Sequence, residues 1–198
     1  MLKHGDLIFS QIGTDANAIS AVTTGFRGAR LNHVGLILEN NLGWFVLEAF
    51  PPEVRVTQID VFTRRSADPI SGRERYLVLR LKQPHITLIP NAVKYGLAKR
   101  DTPYDELYLT DPAALYCSEL LVDMFRFANG GVEFFPERPM SFRHPVTGQI
   151  LSAWTEYYAK FGMSVPDGQP GSNPGDISND TRLDFVVVQG PPSGYNDA

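Results

Sequence analysis

The sequence predicts an α+β domain in which an antiparallel sheet packs against helices, and three observations carry that expectation. Strand-like runs cluster in the first half of the 198 residues, and helical patterns dominate the second half. Two of the strand-like runs, His33-Val-Gly-Leu-Ile-Leu38 and Trp44-Phe-Val-Leu-Glu48, flank Glu39-Asn-Asn-Leu-Gly43, which has the composition of a hairpin turn. The length suits one domain, residues 1–198, large enough to bury a sizeable core.

Taken in order, Asp6-Leu-Ile-Phe9 reads as a short apolar strand after a turn at Gly5. Asp15 to Val22 has helical spacing, with Asp15 as its N-cap and a stop at Gly25; Gly25 to Gly28 reads as a loop. After the hairpin, Val54-Arg-Val56 adds a short strand, and Arg75-Tyr-Leu-Val-Leu-Arg-Leu81 alternates as a half-buried strand does. Leu88 to Lys99 is helical, with Pro90 tolerable only in the first turn. Tyr116 to Ala128 is a stronger helix, ended by Asn129-Gly-Gly131. A Pro-rich loop, Phe135 to Pro145, leads to a helix from Gln149 to Phe161. Pro166 to Asp180 is expected to be irregular, Leu183 to Val188 to be the last strand, and the residues after Gly190 to be frayed.

Composition removes several function classes. The chain is 43% hydrophobic and 20% charged, as ordinary globular proteins are. A net charge of −4 without a basic stripe argues against a nucleic-acid partner. No apolar run reaches the roughly 20 residues that span a bilayer, so no stable membrane insertion is expected. Strand-like sequence begins almost at once, without a secretory leader, which makes the cytoplasm the expected location.

The chain holds a single cysteine, Cys117, which excludes an internal disulfide and a thiolate zinc cluster. A lone cysteine is more often a small buried hydrophobe than a reactive group. Cys117, however, sits where a helical pattern begins. A free thiol near pKa ~8.5 becomes reactive when a helix N-terminus or an imidazolium favours its thiolate. If the helix starts near Tyr116, the sulfur receives the dipole; if Asp111 caps it and Pro112 is its first residue, Cys117 lies a turn further in. Of the four histidines, His4, His85 and His144 lie at a chain end, beside Pro84 and in the Pro-rich loop, respectively. His33 heads a strand, where flanking pairing holds its ring. Glu48 ends the next strand after an apolar run, where a carboxylate is unexpected without a partner. A hairpin turning at 40–43 brings Glu48 near His33, as the third group that a base histidine needs.

Gly5-Asp-Leu-Ile-Phe9, Asn32-His-Val-Gly-Leu-Ile37, Val46-Leu-Glu-Ala49, Pro103-Tyr-Asp105 and Tyr116-Cys-Ser-Glu-Leu-Leu121 occur in the order found in the YiiX-like family. Pro174-Gly-Asp-Ile-Ser178 with Arg182-Leu183 also resembles that family's C-terminal segment. The family comprises circularly permuted papain-like proteins related to NlpC-type endopeptidases. The resemblance implies a permuted papain-like core with Cys117 as nucleophile, His33 as base and Glu48 as the orienting group. It further implies that Tyr104, beside the nucleophile, binds substrate or stabilises the oxyanion. Asn32 stands where many relatives carry a small hydroxyl residue. The implied activity is cysteine-dependent hydrolysis of a small peptide or amide through a thioester, without metal or cofactor. Acyl transfer or thioester hydrolysis on a lipid ester is the alternative within catalysis, and a non-catalytic binding module is the alternative outside it.

Overall fold

A computed structural model, which describes residues 1–14, 17–111 and 113–197, builds the strand-like runs into one six-stranded sheet. The strands are β1 (Leu7–Ser10), β2 (His33–Asn40), β3 (Gly43–Phe50), β4 (Glu53–Gln58), β5 (Tyr76–Leu81) and β8 (Leu183–Gln189). Their order is β4-β3-β2-β1-β5-β8, with every neighbouring pair antiparallel. A second, two-stranded sheet pairs β6 (Arg138–Pro139) with β7 (Pro170–Gly171). The β2–β3 turn closes where the sequence marks it: Asn40 Oδ1 accepts from the Leu42 N–H at 2.8 Å, and Gly43 has a φ of 123°, open to glycine.

Strand alternation divides the core in two. Leu7, Phe9, Val34, Leu36, Leu47 and Ala49 face the helices α3 (Ile89–Ala98) and α4 (Cys117–Ala128), meeting Ala92, Leu120, Leu121, Met124 and Phe125. Ile8, Ile37, Val46 and Val78 form a smaller cluster with Phe62 of α2 (Ile59–Arg65). A third cluster joins Phe142 to Trp154 and Tyr158 of α5 (Ser152–Ala159).

Several expectations need correction. Helix α2 lies in a stretch left unassigned; its signal is short, with Ile59 and Phe62 one turn apart, Asp60 in the first turn and Arg64 and Arg65 in the last. The helix α1 (Ala18–Val22) is capped by Asn17, whose Oδ1 accepts from the Ile19 and Ser20 N–H groups; the expected cap, Asp15, is outside the described residues. The stretch 166–180 is not wholly irregular: it holds β7 and α6 (Pro174–Ser178), capped by Asn173. The residues after Gly190 are tied down, because Ser193 accepts from the Arg30 N–H at 2.8 Å and Asn196 donates to the Arg27 carbonyl at 2.9 Å.

Of the two starts considered for α4, the structure has the later one. Tyr116 is the N-cap, Cys117 is the first helical residue, and Glu119 accepts from the Tyr116 N–H at 3.3 Å. Asp111 instead caps a turn, accepting from the Ala113 N–H; Pro112 is outside the described residues.

Candidate active site

Register brings the acid to the histidine. Ile37 pairs with Val46, so two residues back along β2 and two onward along β3, Gly35 lies across from Glu48, and His33 follows diagonally on the same face. A Cβ on Gly35 would stand 2.4 Å from Val46 Cγ1 and 3.3 Å from Glu48 Cβ. The bare glycine therefore leaves the lane through which Glu48 reaches its partner. The His33 Nε2 and the Glu48 Oε2 are 2.6 Å apart, with Glu48 0% and His33 4% exposed.

The other carboxylate oxygen, Oε1, accepts from the Thr57 hydroxyl at 2.6 Å and from Arg65 of α2. Arg65 also lies over the Phe50 ring, 3.9 Å from its centroid. Stacking there accounts for the guanidinium nitrogens Nε and Nη1, which are buried without a hydrogen-bond partner. Phe50 and Phe62 flank the His33 ring at 5.3 Å each. A buried carboxylate is tolerable when each oxygen is paired. Thr57 and Arg65 were not foreseen from sequence, because nothing local links β4 or α2 to His33.

These contacts set the charge states. Burial resists protonation of His33, but hydrogen bonds to Cys117 and Glu48, with their charges, raise it to about 9. Burial also works against ionisation of Glu48, and His33, Arg65 and Thr57 overcome it, holding the carboxyl at about 2. At neutral pH the pair is thus an imidazolium and a carboxylate. Nε2 is engaged by Glu48, which leaves Nδ1 as the nitrogen for the Cys117 sulfur. An imidazole hydrogen-bonded to a cysteine at a helix N-terminus is the arrangement of a nucleophile and its base. Behind the helix start, burial first, then Asp123, Asp105 and Glu137, lift Glu119 to about 8.

Cys117 is 5% exposed and opens onto a cavity of about 210 Å³. Trp154, Phe142, Met140 and Ile19 give it apolar walls; Tyr108 and Tyr116 give it aromatic ones. Tyr104 is not among the lining residues. Burial, then the nearby Cys117 charge and Tyr108, keep its hydroxyl well above the usual tyrosine range. Its ring meets that of Tyr108 at 6.4 Å. Tyr108, unforeseen, is the tyrosine of this loop that reaches the cavity. Its φ of 53° is unusual for a bulky residue, and Asp105 holds the loop by accepting from the Leu107 and Leu109 N–H groups at 2.7 Å. Asn32 also lines the cavity, but its amide is committed to the backbone of Ile12 and to the Ser20 hydroxyl. His4, His85 and His144 lie elsewhere: His4 accepts from the Glu39 N–H, His85 edges Phe134, and His144 accepts from Val146 and Thr147.

Comparison with known proteins agrees with this arrangement at the level of fold and family. A family model described as a permuted papain-like amidase enzyme, YaeF/YiiX, C92 family, matches residues 1–186. The crystal structure described as metalloprotein yiiX from Escherichia coli O157:H7 superposes with a TM-score of 0.76 at 20% identity, over 96% of this chain and 98% of that one. No curated protein matches. Among the described residues of this chain, no group of three or more His, Cys, Asp or Glu is placed to hold a metal ion. No described helix is long and apolar enough to cross a membrane.

Proposed function

The chain belongs to the family of permuted papain-like amidases of the YaeF/YiiX type, and from that premise we propose that it is a cysteine hydrolase working through Cys117, His33 and Glu48. The Cys117 thiolate attacks the carbonyl carbon of a small peptide or amide. The carbonyl electron pair moves onto oxygen, where the Cys117 backbone N–H, free at the first helical position, donates to it. His33, protonated at neutral pH, passes its proton to the leaving nitrogen as the C–N bond breaks, leaving a thioester. Water then gives its proton to His33 and its oxygen to the acyl carbon, and the thiolate departs with the acid released. Glu48 keeps the ring oriented throughout and stabilises its imidazolium form before the proton is given and after it is regained. Tyr104 acts from behind Tyr108, as a support for the cavity wall.

The observation that carries this reading is the fully buried Glu48 carboxylate, 2.6 Å from the ring that bonds the only thiol in the chain. A lipid acyl ester is a second substrate class, favoured by the apolar walls beside Cys117. Hydrolysis of a panel of amides, short peptides and acyl esters, with Cys117→Ala as control, tests both. Turnover that survives in Cys117→Ala would end the proposal.

A further inference from the structure

The proposed chemistry leaves one charge of the Cys117 cavity unused. Among the described residues lining it, Asp176 is the one carboxylate, and no Lys, Arg or His joins it. The remaining polar groups, from Thr23, Asn32, Ser141, Ser172 and their like, are uncharged.

Asp176 is held in place without being neutralised. Its Oδ2 accepts from Asn173 Nδ2 at 2.9 Å, while its own N–H donates to Asn173 Oδ1 at 2.8 Å. This reciprocal pair fixes the side chain, and no cation is paired with it among the described residues. Its neighbours differ. Arg182 is spent on Asp180, at 2.8 and 2.5 Å, and on the Phe134 carbonyl.

Asp176 also lines a second cleft, together with Arg138, Asp180 and Arg182. It is the lining residue common to both cavities, so it stands at the seam where a molecule with its acyl carbon at Cys117 would emerge.

We propose that Asp176 is a specificity residue that receives an ammonium or guanidinium group on the part of the substrate running from the Cys117 cavity toward the second cleft. The inference rests on Cys117 being the nucleophile of that cavity. Asp176 is exposed, so it is accessible to an incoming cation and its attraction is short-ranged and screened by salt; the chain's net charge of −4 draws cations in the same sense. Arg138, exposed on β6, repels a cation that passes beyond Asp176 and so confines it to the seam. Asp176 also complements the N-terminus of α6. Selectivity, rather than stability, is therefore the quantity that reports on the proposed role.

The test alkylates Cys117 in the full chain with two haloacetamides of matched length, one ending in an ammonium and one in a hydroxyl. Each rate is divided by that of free cysteine with the same reagent. The wild type is expected to favour the ammonium reagent by about threefold to tenfold at low salt, with the preference shrinking at high salt. Asp176→Asn should bring the ratio near one, and Asp176→Lys should invert it. A ratio near one in the wild type, or a preference that persists in Asp176→Asn, overturns this inference alone. A Cys117 that neither reagent modifies removes the nucleophile reading and the inference with it.

Discussion

Glu48 meets His33 at 2.6 Å from a position with no exposure to solvent, and it spends its second oxygen on Thr57 and Arg65. Three strands and one helix therefore converge on a single carboxylate. The charge is sustained because every lone pair that matters has a donor. In return it keeps a proton on a buried imidazole that burial alone would strip.

Replacing Glu48 with Gln preserves volume and removes the charge. His33 should then titrate well below its value of about 9, because one hydrogen bond to an anion and one nearby charge are lost. Alkylation of Cys117 by iodoacetamide near neutral pH is expected to slow by about 10- to 100-fold. Ring-proton titration by NMR and the alkylation rate check the two halves separately, and an unchanged rate would remove Glu48 from the site.

Arg65 ties α2 to the same carboxylate while lying on Phe50. Arg65→Leu should cost about 1–3 kcal/mol in unfolding free energy, since it leaves a buried acid short of one partner. Arg65→Lys should recover only part, because an ammonium cannot both stack on the ring and lie flat against the carboxylate. Urea denaturation at neutral pH measures both.

The pH dependence has a definite sign. His33 is raised from 6.5 to about 9, so its contribution to stability is complete below 6.5 and is lost as pH rises through 9. Glu119, raised from 4.5 to about 8, acts in the same direction. Glu48, lowered from 4.5 to about 2, contributes above 4.5 and is lost as pH falls through 2. The denaturation midpoint should be highest near pH 4.5, where the Glu48 contribution is complete and the Glu119 contribution begins to be lost, and decline toward pH 9, less steeply above pH 6.5 in His33→Gln. In the wild type, kcat/KM should fall as pH passes about 9, where His33 no longer carries the proton for the leaving group.

Gly35→Ala probes the lane between the strands. The new methyl would lie 2.4 Å from Val46 Cγ1 and 3.0 Å from the Leu47 carbonyl oxygen. Such crowding should destabilise the fold by about 1–3 kcal/mol. It should also slow alkylation, because relief of the clash moves β3 and with it Glu48. A variant with wild-type midpoint and wild-type thiol reactivity would show that the glycine has no such role.

Much was legible in the sequence because it is local. Alternation around Val34 to Leu38 and Trp44 to Leu47 marked the hairpin, the turn at 40–43 set its register, and register alone brings Glu48 near His33. The Leu, Met and Phe spacing after Tyr116 marked α4, and ordered short motifs pointed to the family. Tertiary structure alone decided where α4 begins, because its N-cap bonds compete with turns that composition does not rank. It likewise brought Arg65 and Thr57 to the carboxylate, made Tyr108 rather than Tyr104 a wall of the cavity, and set Asp176 at its edge. Those relations join segments far apart in the chain, and what fixes them is the packing of helices on the sheet, which no short window of residues records.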